Sequence, residues 1–179
     1  MLGPQRRGRT ASGGARGLSR WRERSAVAIA AAAGLALSVY LAAYQLGAVA
    51  APWDPLFGPA SSARVLHSAL SRALPLPDAA AGAIGYAAEL AADLAGGRDR
   101  WRTHPWLVLA FGAIVAALAL VGATLVVVQA AIVRAGCTLC LCSALLSIGV
   151  AIAVAAGGEV QAAFRVARAA HEGRAESWR

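Results

Sequence analysis

Residues Trp106–Gly158 read WLVLAFGAIVAALALVGATLVVVQAAIVRAGCTLCLCSALLSIGVAIAVAAGG, and Arg134 is the sole charged residue among them. Arg134 splits the stretch into two apolar runs, each long enough to cross the roughly 30 Å of bilayer hydrocarbon that about 20 apolar residues span as a helix. Only Arg134, Ala135 and Gly136 lie between the first run and a cluster of cysteines. Two membrane helices joined by a very tight turn are therefore expected, at about 106–133 and 138–158. Composition agrees: with 59% of its 179 residues apolar and only 15% charged, the chain is too oily for an ordinary soluble domain.

Working towards the N-terminus, GGRDRWRTHP at residues 96–105 is a polar break whose Trp101, with Trp106 just after it, suits an interfacial anchor. Before it, residues 78–95 form a weaker candidate span. Its glycines and alanines suit close helix packing, and Glu89 and Asp93, one turn apart near its exit, are expected to snorkel to the interface. In the preceding segment, PWDPLFGPASSARVLHSALSRALPLP at residues 52–77, Val65, Leu66, Ala69, Leu70, Ala73 and Leu74 recur at spacings of three and four. Arg64, His67, Ser68, Ser71 and Arg72 fall mostly elsewhere, which predicts a short amphipathic helix lying on the membrane surface. Trp53 and Phe57 fit an interfacial position.

From about residue 25 to 51 the chain carries no charge, which predicts the first span. That run exceeds the ~7 to 15 apolar residues of a cleaved signal core, so a retained helix is the expectation. Residues 1–24, with seven arginines among glycines and serines, read as a disordered basic tail. Residues 159–179 read as a second tail, a surface helix or a frayed end, with an amphipathic pattern around Val160, Phe164 and Ala167.

Charge sets the topology. If residues 25–158 hold four spans, the two tails and the 96–105 loop share one side and carry fourteen of the 17 basic residues, all of them arginine. The other side holds Arg64, Arg72 and Arg134. Arginine-rich segments stay in the cytoplasm, which predicts an all-α, multi-pass four-helix bundle of the plasma (inner) membrane with both termini cytoplasmic. The pI near 10.9 does not imply nucleic acid, because these arginines flank apolar runs rather than forming one patch beside stacking aromatics. Membrane lipid is the expected surrounding.

The cysteines then face the oxidising side, where disulfides persist. Cys137 and Cys140, three apart on a helix, project to roughly one face and can close a local disulfide. They sit at the helix start, where free backbone amides and the positive end of the dipole lower a thiol pKa. Cys142 is about 200° around from Cys140 and reads as a small apolar side chain. A zinc site would require about four ligands, and His67, His104 and His171 are scattered, so no metal is expected.

At CTLCLCSALLS (Cys137–Ser147) and, less specifically, VLHSALSRALPLPDAAAGAIGY (Val65–Tyr86), the chain resembles the vitamin K epoxide reductase family, with the likeness covering roughly residues 25–158. The resemblance implies a four-helix membrane oxidoreductase with an outer loop helix after the first span. It also implies a quinone, menaquinone or ubiquinone, that exchanges electrons with Cys137 and Cys140. A bacterial disulfide-bond protein B type of bundle has its quinone-proximal pair after the first span instead, so the position after the third favours the former family. This chain departs from the family in having no cysteine before Cys137: the loop pair that relays electrons from a thioredoxin-like extracytoplasmic protein is missing. A partner or a small thiol would then meet the remaining pair directly.

On this reading Cys137 exchanges with the reduced partner and Cys140 passes electrons to the quinone through thiolate attack and a mixed disulfide. Ser143 and Ser147 continue the face of Cys140 and are candidates to hydrogen-bond a quinone carbonyl, against back-bonding within their own helix. Tyr86, with Tyr40 and Tyr44, is a candidate to line the same cavity. The alternative from another class is a non-catalytic quinone-binding or scaffold membrane protein that kept the fold and lost the relay. A transporter is disfavoured, since beyond Asp78 at the edge of its span Glu89 and Asp93 are the only acids within the spans.

Overall fold

In an apolar medium a backbone must satisfy its own hydrogen bonds, and a chain this rich in alanine, leucine and valine does so as helix. The computed structural model describes residues 21–69, 71, 75–97 and 99–176, and all regular structure in them is helical. The elements are α1 (Trp21–Gln45), α2 (Pro59–Leu66), α3 (Asp78–Leu94), α4 (Arg100–Thr103), α5 (Pro105–Val128), α6 (Thr138–Gly157) and α7 (Glu159–Glu176). A π-helical turn, Gln129–Val133, prolongs α5. Among the described residues, three helices are long and apolar enough to cross a membrane: α1, α5 with its π turn, and α6. At 17 residues, α3 is shorter.

Helices α1, α3, α5 and α6 close into a ring, with α1 packed on α3 and α6, and α5 packed on α6 and α3. Small residues let the backbones approach. A Cβ on Gly34 of α1 would lie 2.4 Å from Cε1 of the Tyr86 ring, so only glycine leaves room for that ring. A Cβ on Gly122 of α5 would lie 3.1 Å from Cα of Ala144 on α6. Leu41, Val65, Leu66, Cys137 and Leu139 form an apolar core at one end. Val27, Phe111, Val115 and Val150 form another towards the opposite end.

Several boundaries differ from expectation. The first helix ends at Gln45, not near residue 51, because Gln45 is anchored: its Nε2 donates to Leu66 O at 2.9 Å and to Asp78 Oδ1 at 2.6 Å. The chain then turns through Gly47 at φ 81. The loop helix runs from Pro59 to Leu66, earlier than the Val65–Leu74 pattern, with His67 its C-cap. Leu70, Arg72, Ala73 and Leu74 lie outside the described residues, as do residues 1–20 of the expected basic tail and residues 177–179. The C-terminal segment is a helix folded back on α5, burying Ala162 and Ala163.

The largest correction concerns α3. Glu89 and Asp93 do not turn their side chains outward; they are buried in the protein, and Tyr86 is the only other buried residue of that helix. At this end Arg100, 1% exposed, donates to Glu159 Oε1 through Nε at 2.7 Å and to Asp93 O through Nη1 at 2.8 Å. Its Nη2 lies 3.5 Å from Asp93 Oδ1, and its guanidinium sits 5.3 Å from the centre of the Phe111 ring. Arg24 of α1 adds an ion pair to Asp93 at 3.8 Å. One guanidinium thus joins α3, α4, α5 and α7.

Removing one member of a buried ion cluster leaves the others uncompensated, whereas an exposed pair contributes little. Arg100→Ala is expected to destabilise the protein by about 3–5 kcal/mol. Arg168→Ala, which breaks the exposed Arg168–Glu172 pair, is expected to cost less than about 0.5 kcal/mol. Denaturant unfolding of both variants in one detergent checks this ordering, and equal losses would contradict the clamp.

Candidate functional site

The site starts from a sharp turn. Arg134 adopts a left-handed conformation at φ 51, ending the π turn, and the chain reaches the start of α6 within four residues. Cys137 is the N-cap of α6, extended at φ −131, and its Sγ accepts from the Cys140 backbone N at 3.2 Å. Cys137 and Cys140 form a disulfide with Cα atoms 5.2 Å apart, as their spacing predicts. Cys142 is a free, exposed cysteine.

Polar groups from distant segments hold this turn. Gln129, buried in the π turn, accepts from the Cys137 backbone N through Oε1 at 3.0 Å. Ser61 of α2 grips Gly136 twice, with Oγ donating to Gly136 O at 2.9 Å and accepting from Gly136 N at 3.0 Å. Asp54 makes the most contacts. Its carboxylate accepts from Thr138 N at 2.8 Å, Thr138 Oγ1 at 2.5 Å, Leu56 N at 3.0 Å, Phe57 N at 2.8 Å and Ser62 Oγ. Burial pushes the Asp54 carboxyl up, but the bonds from Ser62, Thr138 and Phe57 outweigh it and hold the group well below the usual carboxylate range.

The loop from Pro52 to Leu66 is thereby pinned over the cysteine pair. Cys137 is 0% exposed, packed with Val65, Leu66 and Leu41, while Cys140 is only partly buried. This reverses the exposure expected from sequence, which placed Cys137 as the outer thiol open to a partner. The covering loop begins with the PWDPLFG stretch, residues 52–58.

Deeper along α6 the structure brings together three residues expected to act with the pair. The Tyr86 hydroxyl lies 2.6 Å from Ser147 Oγ and 2.9 Å from Ser143 Oγ, and donates to Ser143 O at 2.7 Å. Three hydroxyls thus meet at the α3–α6 contact, on the face that Cys140 begins. Such a cluster has the donor chemistry to meet a quinone carbonyl. Tyr40 and Tyr44 are elsewhere: Tyr40 OH accepts from Trp53 N at 2.9 Å, and the Tyr44 ring lies 5.5 Å from that of His67. Both support the loop. A cavity of about 370 Å³ between α1 and α6 is lined by Arg24, Asp93, Arg100 and Glu159 at one end and by apolar side chains elsewhere. Neither cysteine of the pair nor Tyr86, Ser143 or Ser147 lines it.

Sequence reasoning missed Asp54, Ser61, Ser62, Gln129 and Thr138. Asp54 alone left a signal: it is the one acid in residues 46–77 and sits between Trp53 and Pro55.

Fold and site define an all-helical membrane protein whose last hydrocarbon-length helix is capped by a disulfide. The family model described as the vitamin K epoxide reductase family matches residues 25–155, and the chain belongs to that family. No curated protein matches it at significant similarity.

Asp54→Ala leaves several buried donors without an acceptor and is expected to cost about 1–3 kcal/mol. With the pair reduced, it is also expected to speed maleimide labelling of Cys137, as the covering loop lifts. The sign with pH follows from the depressed carboxyl. Its stabilisation is complete above the unfolded value of about 3.9 and is lost as pH falls below it. Asp54→Asn is expected to flatten this acid loss in thermal unfolding from about pH 5 downwards; an unchanged acid limb would place the dependence elsewhere.

Proposed function

We propose that this protein is a quinone-linked thiol–disulfide oxidoreductase, passing electrons from a reduced thiol outside the cytoplasm, through Cys137 and Cys140, to a membrane quinone. In this reading α1, α3, α5 and α6 are four spans, both termini are cytoplasmic, and the disulfide faces outward in the plasma membrane. The arginine distribution and the family support that topology. The observation that carries the reaction is the juxtaposition on one helix of the Cys137–Cys140 disulfide and, on the same face, the Tyr86–Ser143–Ser147 hydroxyl cluster.

A thiolate of the donor attacks the Cys137–Cys140 disulfide, a mixed disulfide forms, and a second donor thiol resolves it, leaving both cysteines reduced. The pair is reoxidised to its disulfide as a quinone takes up two electrons and two protons to become the quinol. In the reduced state the Cys140 amide that bonds Cys137 Sγ favours a thiolate there, as does the positive end of α6. The nearby Asp54 carboxylate opposes it. Cys140, partly exposed, is assigned to the quinone, and Ser143, Ser147 and Tyr86 to its carbonyl. Cys137 is assigned to the thiol donor. Because the pinned loop covers Cys137 and no relay pair precedes it, a small thiol, or a thioredoxin-like protein that displaces the loop, is the electron source.

Trapping the pair with a thiol-reactive mass tag tests this in isolated membranes, after reduction and then after adding ubiquinone or menaquinone. Quinone is expected to restore the disulfide in the wild type. Cys137→Ser and Cys140→Ser are expected to abolish reoxidation, and Tyr86→Phe to slow it by about ten-fold, as loss of one hydrogen bond to the reacting oxygen would. Thiols that stay reduced with every quinone tried would favour a non-catalytic scaffold that kept the fold.

A further inference from the structure

The three buried residues of α3 are Tyr86, Glu89 and Asp93, each no more than 2% exposed, while Ile84 and Leu94 of the same helix are 63% and 65% exposed. The helix is turned polar side inward. Spacings of three and four put the three on one stripe, which runs about 10 Å along the axis. At one end of the stripe, the Tyr86 hydroxyl meets Ser143 and Ser147. At the other, Asp93 faces Arg24 from α1 and Arg100 from α4, which in turn holds Glu159 of α7. Between them Glu89 is in no ion pair among the described residues. Its Oε1 and the Oδ2 of Asp93 are buried without a hydrogen-bond partner. A buried polar oxygen left unpartnered costs stability, and an ionisable group inside a membrane bundle is a functional feature by default. The ion cluster around Arg100 accounts for Asp93 Oδ1, but for neither of these oxygens.

We propose that Tyr86, Glu89 and Asp93 form a proton conduit from the arginine-rich end of the bundle to the quinone site; this rests on the oxidoreductase reading above. Steps of about 5 Å along the helix are bridged by swinging the Glu89 side chain or by single waters on the unpartnered oxygens. Asp93 takes a proton at the inner face, Glu89 carries it as a carboxylic acid, and Tyr86 delivers it. Oxidation of two donor thiols to a disulfide releases two electrons and two protons on the outer side. The electrons reach the quinone through Cys137 and Cys140, and the two protons that complete the quinol come from the inner side. Two protons therefore leave the inner side and two appear on the outer side for each quinol.

Vesicles carrying the reconstituted protein, a pH-sensitive dye in the lumen, and valinomycin with potassium to collapse the membrane potential test this. Glutathione, which does not cross the bilayer, is added outside only, so that only molecules with the cysteine pair outward turn over. The oxidant is a soluble ubiquinone or 2,3-dimethyl-1,4-naphthoquinone, whose substituted rings do not add thiols. The expected result is loss of two lumenal protons per quinol formed. Quinol formation with unchanged lumenal pH overturns the conduit and leaves the oxidoreductase standing. No quinol with either compound overturns both. Glu89→Gln is expected to abolish lumenal uptake and slow quinol formation at least ten-fold, with Glu89→Asp restoring part of both. Lumenal uptake by Glu89→Gln at the wild-type rate would overturn the role of Glu89. If that variant does not fold, the wild-type measurement still decides.

Discussion

Everything at the disulfide end depends on one carboxylate. Asp54 lies far from α6 in sequence, yet it accepts both the backbone N–H and the hydroxyl of Thr138, the residue between Cys137 and the first full turn of that helix. A helix start has free N–H groups that need acceptors, and here the acceptor comes from a loop. The contact caps α6, and because Asp54 also ties Leu56, Phe57 and Ser62 to itself, it closes the loop over Cys137. A buried carboxylate is stable only when so many donors converge on it. That requirement makes loop and helix mutually dependent.

A similar logic holds the opposite end, where the acceptors outnumber the cations. Arg100 and Arg24 serve Asp93 and Glu159, and the guanidinium of Arg100 also takes the carbonyls of Ala92, Asp93 and Ala95 that end α3. Satisfying the last carbonyls of a helix with a planar five-donor group is an economical way to end it inside a packed bundle. Glu89, one turn further in, has no such partner. Its burial is explained by the orientation of α3, which the Arg100 cluster sets at one end and the Tyr86 hydroxyl at the other.

The helices were legible in the sequence because membrane length and lack of charge are one-dimensional properties; α5, α6 and the tight turn at Arg134 follow directly from the Trp106–Gly158 stretch. The disulfide was legible because three residues on a helix bring two sulfurs within reach. The meeting of Tyr86 with Ser143 and Ser147 was anticipated only as a shared cavity, since which faces of α3 and α6 meet depends on packing. What did not show were the roles of single polar residues. Glu89 and Asp93 look like interfacial carboxylates when only their distance from the end of the run is considered. The partners of Asp93, Arg24 and Arg100, come from α1 and α4, so its burial follows from tertiary pairing that no local pattern contains. Asp54 and Gln129 were missed for the same reason. The loop helix was placed too late because the 3.6-residue pattern continues past Leu66, whereas the helix stops there, with Gln45 fixing the Leu66 carbonyl.

The position of Asp54 also bears on how the protein works without a relay pair. The loop here is held to the start of α6 by two bonds from Thr138 to Asp54 and by the two-way grip of Ser61 on Gly136. A cap fixed at these points keeps Cys137 from water. The negative charge of Asp54 beside the start of α6 offsets part of the positive end of the helix dipole there.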